Sequence, residues 1–282
     1  MRLITFVTPT GGAAAGVVVG DGVAELGRAT GGRFTSVRAL LEAGALEEAR
    51  HAEPDRPLAG LELLAPVPDP SRILCAGVNY DAHRVETGRD PNAHPTIFTR
   101  YPSSLVGCGA PLVKPFDSEQ FDYEGELAVV IGRRCRRASV EDALTYAAGY
   151  SCFMDGSVRD WQRLSSQFTP GKNFDASGSM GPWLVTADEV GDPQALRLQT
   201  RLDGEVVQDT PTDLMIHSVA ELISFCSQFT TLAPGDVIAT GTPGGVGSRR
   251  DPPLWMKPGG KVEVEISRVG LLTNGIVEEV RP

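Results

Sequence analysis

Asp122, Glu124 and Glu126 alternate with Tyr123 and Gly125 in one short acidic run. In an extended chain residues i and i+2 face the same side, so Glu124 and Glu126 project together with Cβ atoms roughly 7 Å apart. Two like charges side by side call for a cation. An isolated E-x-E also suits the solvated face of an edge strand, and Asp155 shifts the balance. It ends the apolar run Tyr150 to Met154, where a buried acid without a partner is costly. Three carboxylates with no His or Cys nearby in sequence are hard oxygen ligands. The ion they suit is Mg²⁺, Mn²⁺ or Ca²⁺ rather than zinc.

After Asp155 a short helix is expected to place Arg159 and Gln162 on one face, three residues apart. A guanidinium and an amide beside a divalent ion suit a substrate carboxylate, while an Arg on a solvated helix face is the plain alternative. Lys172 lies in the turn-rich run Pro170 to Asp175, and the loop Gly241 to Gly245 follows an expected strand Asp236 to Thr240. A glycine loop at a strand end suggests phosphate, but neither G-x-x-x-x-G-K-[ST] nor G-x-G-x-x-G occurs, so a nucleotide site is unsupported. His83 and Glu86 share a face if their segment makes a helical turn, and a carboxylate beside an imidazole makes a general base. His51 and His94 sit in polar surroundings, and His217 precedes a helix cap, where a structural role is the expectation. The run Arg133, Arg134, Arg136 and Arg137 reads as a solvated turn. No nucleophile elbow fits Gly178, Ser179 and Gly181, and no cysteine carries a catalytic signature.

The elements that must position these groups come from a chain of 282 residues with net charge −10. Its size allows a sizeable core without disulfides or a structural metal. The acidic balance opposes nucleic-acid binding, and no run of 18 apolar residues suggests a membrane span. Five cysteines form no C-x-x-C pair, and the apolar stretch Leu3 to Val7 is too short for a signal peptide. Reduced thiols and a cytoplasmic protein are the expectation.

Short strands separated by glycine turns are expected at Leu3 to Val7, Ala13 to Val19 and Val23 to Leu26, followed by a helix from Ser36 to Ala49. Three prolines in Pro66 to Pro70 cannot continue a helix or a central strand. They place a boundary between a small N-terminal β-rich domain, 1–69, and a larger domain, 70–282. Beyond it, strands are expected at Ile73 to Val78, Tyr123 to Ile131, Tyr150 to Asp155 and Lys261 to Ile266. The polar stretch Asp81 to Pro95, with Gly88, Pro91 and Pro95, reads as a loop free to move. Capping boxes at Ser139, Ser157 and Ser218 predict helices at Ser139 to Ala148, Ser157 to Leu164 and Ser218 to Phe229. Asp203 and Gly204 predict a type I′ hairpin between Leu196 and Val207. The fold class is α+β and strand-rich.

Six stretches in this order resemble the fumarylacetoacetate hydrolase family. They are CAGVNYDAHRVETG from Cys75, DYEGELAVVIG from Asp122, GYSCFMDGSVRDWQ from Gly149, GKNFD from Gly171, PGDVIATGTPGGVG from Pro234, and the strand Lys257 to Ile266. Met154 stands where the family commonly has Asn, and His217 where it commonly has Phe. The resemblance implies a mixed β-roll catalytic domain and a divalent metal, Mg²⁺ or Mn²⁺, held by Glu124, Glu126 and Asp155. It also implies a His83 and Glu86 dyad on a mobile lid, substrate contacts from Arg159, Gln162, Lys172 and either Thr240 or Thr242, and a homodimer. The leading expectation is hydrolysis of a C–C bond in a 2,4-dioxo acid of the acylpyruvate type, with the dyad activating water and Lys172 meeting the charge of the departing pyruvate enolate. The alternatives are decarboxylation of an oxaloacetate-type 2-oxo acid, hydratase or isomerase action on related acids, and a noncatalytic metal-binding protein.

Overall fold

A computed structural model describes the chain apart from residues 89, 91, 92 and 282. Among the described residues a twelve-stranded sheet and a five-stranded sheet dominate. The larger runs in the order Arg56–Pro57, Gly22–Glu25, Ala13–Val19, Arg2–Val7, Gly178–Thr186, Ala147–Met154, Gly125–Ile131, Val237–Ala239, Ile73–Ala76 and Ile97–Arg100, with two short strands off this path. The smaller runs Glu205–Pro211, Arg197–Leu202, Lys261–Ile266, Gly270–Glu278 and Leu112–Lys114. Pairing is mostly antiparallel, but Val237–Ala239 lies parallel to Ile73–Ala76, so the sheet is mixed. The chain has the α+β, strand-rich, β-roll architecture that its sequence implies.

Alternation along Gly125–Ile131 explains why the sheet is covered on both faces. Leu127, Val129 and Ile131 join a core with Val262, Val264 and Ile266 of the small sheet and with Leu222 and Cys226 of the helix Val219–Phe229. Ala128 and Val130 face a second core with Leu3, Leu40, Phe153 and Leu184. The acidic run therefore opens a central strand buried along its whole length, and the solvated edge-strand alternative does not apply. The N-terminal strands continue the same sheet, because Arg2–Val7 pairs with Gly178–Thr186.

Three of the expected helices differ from their sequence patterns. The helix expected from Ser36 divides at Gly44 into Val37–Glu42 and Leu46–Ala49. Ser139 caps only Val140–Ala143, and a strand has begun by Ala147, so Gly149 lies inside a strand rather than ending a helix. Ser157 caps nothing. It pairs as a strand with Asp122, its hydroxyl donates to the Asp155 carbonyl, and the helix begins at Arg159. The Ser218 and Glu221 capping box is complete, and Asp203 and Gly204 both take positive φ, as a type I′ turn requires.

Candidate active site

Glu124, Glu126 and Asp155 converge at the junction of two adjacent strands. Asp155 N–H donates to the Glu124 carbonyl at 2.8 Å, and Glu126 lies opposite Phe153. The strand period then puts all three carboxylates on one face, and one oxygen from each lies within 4.8 Å of the others. All three residues are buried.

Three cations surround the acids. Arg159 donates from Nη2 to Glu124 Oε1 at 2.6 Å and from Nε to Asp122 Oδ2 at 2.7 Å. Lys172 Nζ donates to Glu124 Oε2 and, at 2.6 Å, to Asp155 Oδ2. Arg100 Nη1 donates to Asp155 Oδ1. Burial pushes the Glu124 carboxyl up, but Arg159 and Lys172 more than reverse this and hold it well below the carboxylate range. Glu126 shifts the other way. Burial, then the charges of Asp155 and Glu124, raise it well above its ordinary value, and its hydrogen bond comes from the neutral Gly241 N–H at 2.8 Å. Burial lowers Lys172, while Asp155 and Glu124 raise it further, so its ammonium stays charged.

The site is held by close backbone contacts. Gly241 has φ +95°, and a Cβ there would stand 2.7 Å from Asn79 Cβ and 2.9 Å from the Ala76 carbonyl oxygen. Only glycine brings this N–H to Glu126 without a clash. The helix Thr169–Lys172 packs on Arg159–Gln162 so tightly that a Cβ on Gly171 would lie 2.4 Å from Gln162 N, which sets Lys172 beside Arg159.

Asp81–Thr87 is a helix ended by left-handed Gly88, rather than a loop, and it places His83 and Glu86 on one face. Pro91 of the same polar stretch lies outside the described residues. His83 Nδ1 meets Glu86 Oε2 at 3.0 Å, and Glu86 Oε1 accepts from Gly245 N at 3.0 Å. With Nδ1 engaged by the carboxylate, Nε2 is left to exchange a proton. A cavity of about 580 Å³ brings together His83, Glu124, Glu126, Arg159, Gln162 and Lys172. Thr242 also lines it, but its hydroxyl donates to the Gly125 carbonyl and accepts from Gln208 Nε2. Thr240 is fully buried and donates to the Leu127 carbonyl. Both threonines fasten the glycine loop to the acidic strand. Gln162 Oε1 accepts from Arg159 Nη1 at 2.9 Å, which leaves the Gln162 amide as a donor for the cavity.

Sequence reasoning missed Arg100, Asp122, Asn79 and Gln208. Arg100 ends a strand with no motif around it, yet it is buried and also donates to Ser177 Oγ and the Gly156 carbonyl. Asp122 had a signal, being two residues before Glu124. Its carboxylate accepts from Arg159 and from the N–H groups of Gly247 and Ser248. Asn79 ties the Thr240 and His217 carbonyls together, which gives His217 its structural setting.

Residues 72–277 match the family described as fumarylacetoacetate (FAA) hydrolase C-terminal. The chain belongs to this family. Among the family's members, the rat mitochondrial oxaloacetate tautomerase Fahd2a is 38% identical over 266 residues, covering 92% of this chain and 85% of that protein. Oxaloacetate tautomerase YisK of Bacillus subtilis is 42% identical over 224 residues, covering 78% and 74%. The maleylpyruvate hydrolase of Sphingobium sp. SYK-6, solved with manganese(II) and pyruvate, superposes with a TM-score of 0.81 at 31% identity, covering 99% of this chain and 100% of that one.

These relatives correct two expectations. Hydrolysis of a C–C bond in an acylpyruvate-type acid is overturned, because relatives at 38% and 42% identity are oxaloacetate tautomerases, which interconvert isomers and break no carbon–carbon bond. The motifs report a site for enolate charge, and an enolate arises by losing a proton as well as by losing an acyl group. The cytoplasmic placement is overturned too, since the rat relative is mitochondrial. Reduced cysteines fit either compartment. No helix among the described residues is long and apolar enough to cross a membrane.

Proposed function

We propose that the protein is a divalent-metal-dependent tautomerase of a small 2-oxo acid of the oxaloacetate type. The observation that carries this reading is the 38% identity over 92% of the chain to an oxaloacetate tautomerase, in a chain whose cavity joins a carboxylate triad to a His–Glu dyad. The reaction moves one proton: C3 of the keto acid loses it, and the C2 oxygen of the enol gains one.

The residues fit a hard divalent ion. Glu126 is 2% exposed and has no cationic partner among the described residues, beside two further carboxylates within reach of one centre. Glu124, Glu126 and Asp155 would hold Mg²⁺ or Mn²⁺. Such an ion would supply positive charge that stabilises an enolate. His83 Nε2, oriented through Glu86, exchanges the C3 proton. Lys172 and Arg159 place fixed positive charge beside the triad, and the Gln162 amide orients the substrate carboxylate.

The test is keto–enol interconversion of oxaloacetate, followed by ultraviolet absorbance of the enol with Mg²⁺ or Mn²⁺ present. The reading expects acceleration over buffer plus metal that is lost with chelator. Absence of acceleration would remove it, and stoichiometric pyruvate with CO₂ would replace it by decarboxylation. A homodimer, testable by light scattering, and a division of the chain near residue 69 belong to the same proposal.

A further inference from the structure

Arg100 is a buried charge that the proposed reaction leaves unused, although it touches the acidic triad. It ends the strand Ile97–Arg100, and its side chain is 0% exposed. All five N–H groups of its guanidinium are engaged. Nη1 donates to Asp155 Oδ1 and, at 2.9 Å, to the Gly156 carbonyl. Nη2 donates to Ser177 Oγ at 2.8 Å and to the Ser104 carbonyl at 3.3 Å, and Nε to Ser104 Oγ at 3.1 Å. Gly178 makes the room, because a Cβ there would stand 2.7 Å from Nη2 and 2.9 Å from Cζ. A planar fork held by these further bonds fixes the position of one carboxylate oxygen.

The other two acids of the triad are treated alike. Arg159 Nη2 holds Glu124 Oε1 at 2.6 Å, and the Gly241 N–H holds Glu126 Oε2 at 2.8 Å. One oxygen of every carboxylate is thereby engaged by a donor fixed in the scaffold. The oxygens left over are Glu124 Oε2, Asp155 Oδ2 and Glu126 Oε1. Lys172 Nζ bonds the first two, so these turn toward a common point. Single oxygens from rigid carboxylates suit one kind of ion. Mg²⁺ is small, keeps several waters and is bound through few carboxylates, whereas Ca²⁺ takes about six to eight oxygens and accepts both from one carboxylate. Of the three donors, Arg100 is the side chain outside the cavity lining, so it can be changed without altering the cavity wall.

We infer that Arg100 is a positioning residue that sets the metal preference of the site: by engaging Asp155 Oδ1 it denies a cation the second oxygen of that carboxylate, and so favours Mg²⁺ or Mn²⁺ over Ca²⁺. This inference rests on the divalent-metal part of the proposed function and not on the reaction. It also separates ion choice from charge. The positive charge of Arg100 acts alike on Mg²⁺ and Ca²⁺, because both ions carry two charges. The number of oxygens that Asp155 offers does not act alike on them.

Calorimetric titration of Mg²⁺ and of Ca²⁺ into the metal-free protein tests it, with the ratio of the two affinities as the readout. Arg100→Lys keeps the charge but loses the planar fork, and Arg100→Gln loses both. Each variant is expected to shift the ratio toward Ca²⁺ by about tenfold or more, the usual scale for a residue that orients a metal ligand. Thermal melts establish that a titrated variant is folded. An unchanged ratio in folded Arg100→Lys or Arg100→Gln, including equal changes in both affinities, overturns the inference and leaves Arg100 as a counter-charge alone. A measurement on the wild type needs no variant. With ¹³C at the aspartate side-chain carboxyls, the infrared difference between Ca²⁺-loaded and metal-free protein should show the wide carboxylate splitting of one-oxygen coordination, and the narrow splitting of two-oxygen coordination overturns the assignment. Failure of the wild type to bind either ion would remove the metal reading and this inference together. A protein that shows the expected shift and does not tautomerise oxaloacetate would lose the proposed reaction and keep the role of Arg100.

Discussion

Lys172 spans the carboxylate pair beneath the cavity, its ammonium donating to Asp155 Oδ2 at 2.6 Å while it also bonds Glu124. It is 1% exposed and lies over the Phe98 ring at 5.1 Å, so its charge is fixed in place and poorly screened. Lys172→Met removes charge that would meet the enolate, and turnover of oxaloacetate is expected to fall by roughly 10²- to 10³-fold. Divalent-metal affinity should not fall, because the triad then loses a competing cation. A rise in KM with kcat intact would assign Lys172 to ground-state binding only.

Glu126 gives the site its pH dependence. Its carboxyl is raised by burial and by Asp155 and Glu124, so in the metal-free protein it keeps its proton above the ordinary carboxylate range. A divalent ion must displace that proton. Metal affinity should therefore rise with pH, by up to about tenfold per unit, until Glu126 is ionised. Stability of the metal-free protein runs the opposite way. Between the unfolded value and the raised folded value the native state holds the extra proton, so stability falls as pH rises, by at most ~1.4 kcal/mol per unit. Glu126→Gln should flatten both trends. Calorimetric Mg²⁺ titrations and thermal melts across a pH series read them, and equal slopes in the two proteins would contradict the assignment.

Glu86 engages His83 Nδ1, so the proposed proton exchange falls to Nε2. His83→Ala is expected to lower oxaloacetate tautomerisation by roughly 10²- to 10⁴-fold, the usual contribution of a general base. Binding of Mg²⁺ should persist, since Glu124, Glu126 and Asp155 belong to other elements. Solvent-deuterium exchange at C3, followed by NMR, measures the proton step itself. Exchange at the wild-type rate would take His83 out of the reaction.

The triad was legible because strand alternation and the cost of a buried acid are local rules, and Glu124, Glu126 and Asp155 obey them on neighbouring strands. The hairpin at Asp203 and the cap at Ser218 were legible for the same reason. Ser157 misled because a capping box is only a pattern: here strand pairing with Asp122 takes up the backbone that a helix would have used. Arg100 was invisible. Its partner Asp155 is 55 residues away, and nothing in the run Ile97–Arg100 distinguishes a buried guanidinium from a solvated one. Long-range charge pairing is a property of the assembled sheet, so it appears only when the strands are placed.

Gly241 is a position where a single methyl group should be felt. Gly241→Ala meets Asn79 and the Ala76 carbonyl and must also take a left-handed φ. A destabilisation of about 1–3 kcal/mol is expected from the backbone conformation. The N–H that holds Glu126 should shift with it. Urea denaturation checks the first effect and Mg²⁺ titration the second, and wild-type values in both would mean that the loop relaxes without consequence.

Asp122 joins three parts of the site through one carboxylate. Oδ2 takes Arg159 Nε at 2.7 Å and Ser248 N at 3.0 Å, while Oδ1 takes Gly247 N at 2.8 Å. Asp122→Asn keeps the shape but removes the charge, and it turns one acceptor into an NH₂ group that faces donors. Either the Gly247 side or the Arg159 side must lose its bond. Breaking a buried charge pair in this way costs about 3–5 kcal/mol, so a lowered denaturation midpoint is the first expected outcome. Arg159 is then held by Glu124 and Gln162 only, and its guanidinium gains freedom where the substrate carboxylate should lie. KM for oxaloacetate should rise more than kcat falls, because the altered contact binds substrate and does not move the proton. Asp122→Ala separates the two effects. It leaves no donor facing the loop, so the N–H groups of Gly247 and Ser248 can take water, and the loss at Arg159 remains. If Asp122→Ala is as active as wild type in KM, Asp122 serves the fold alone, and the placement of Arg159 owes nothing to it.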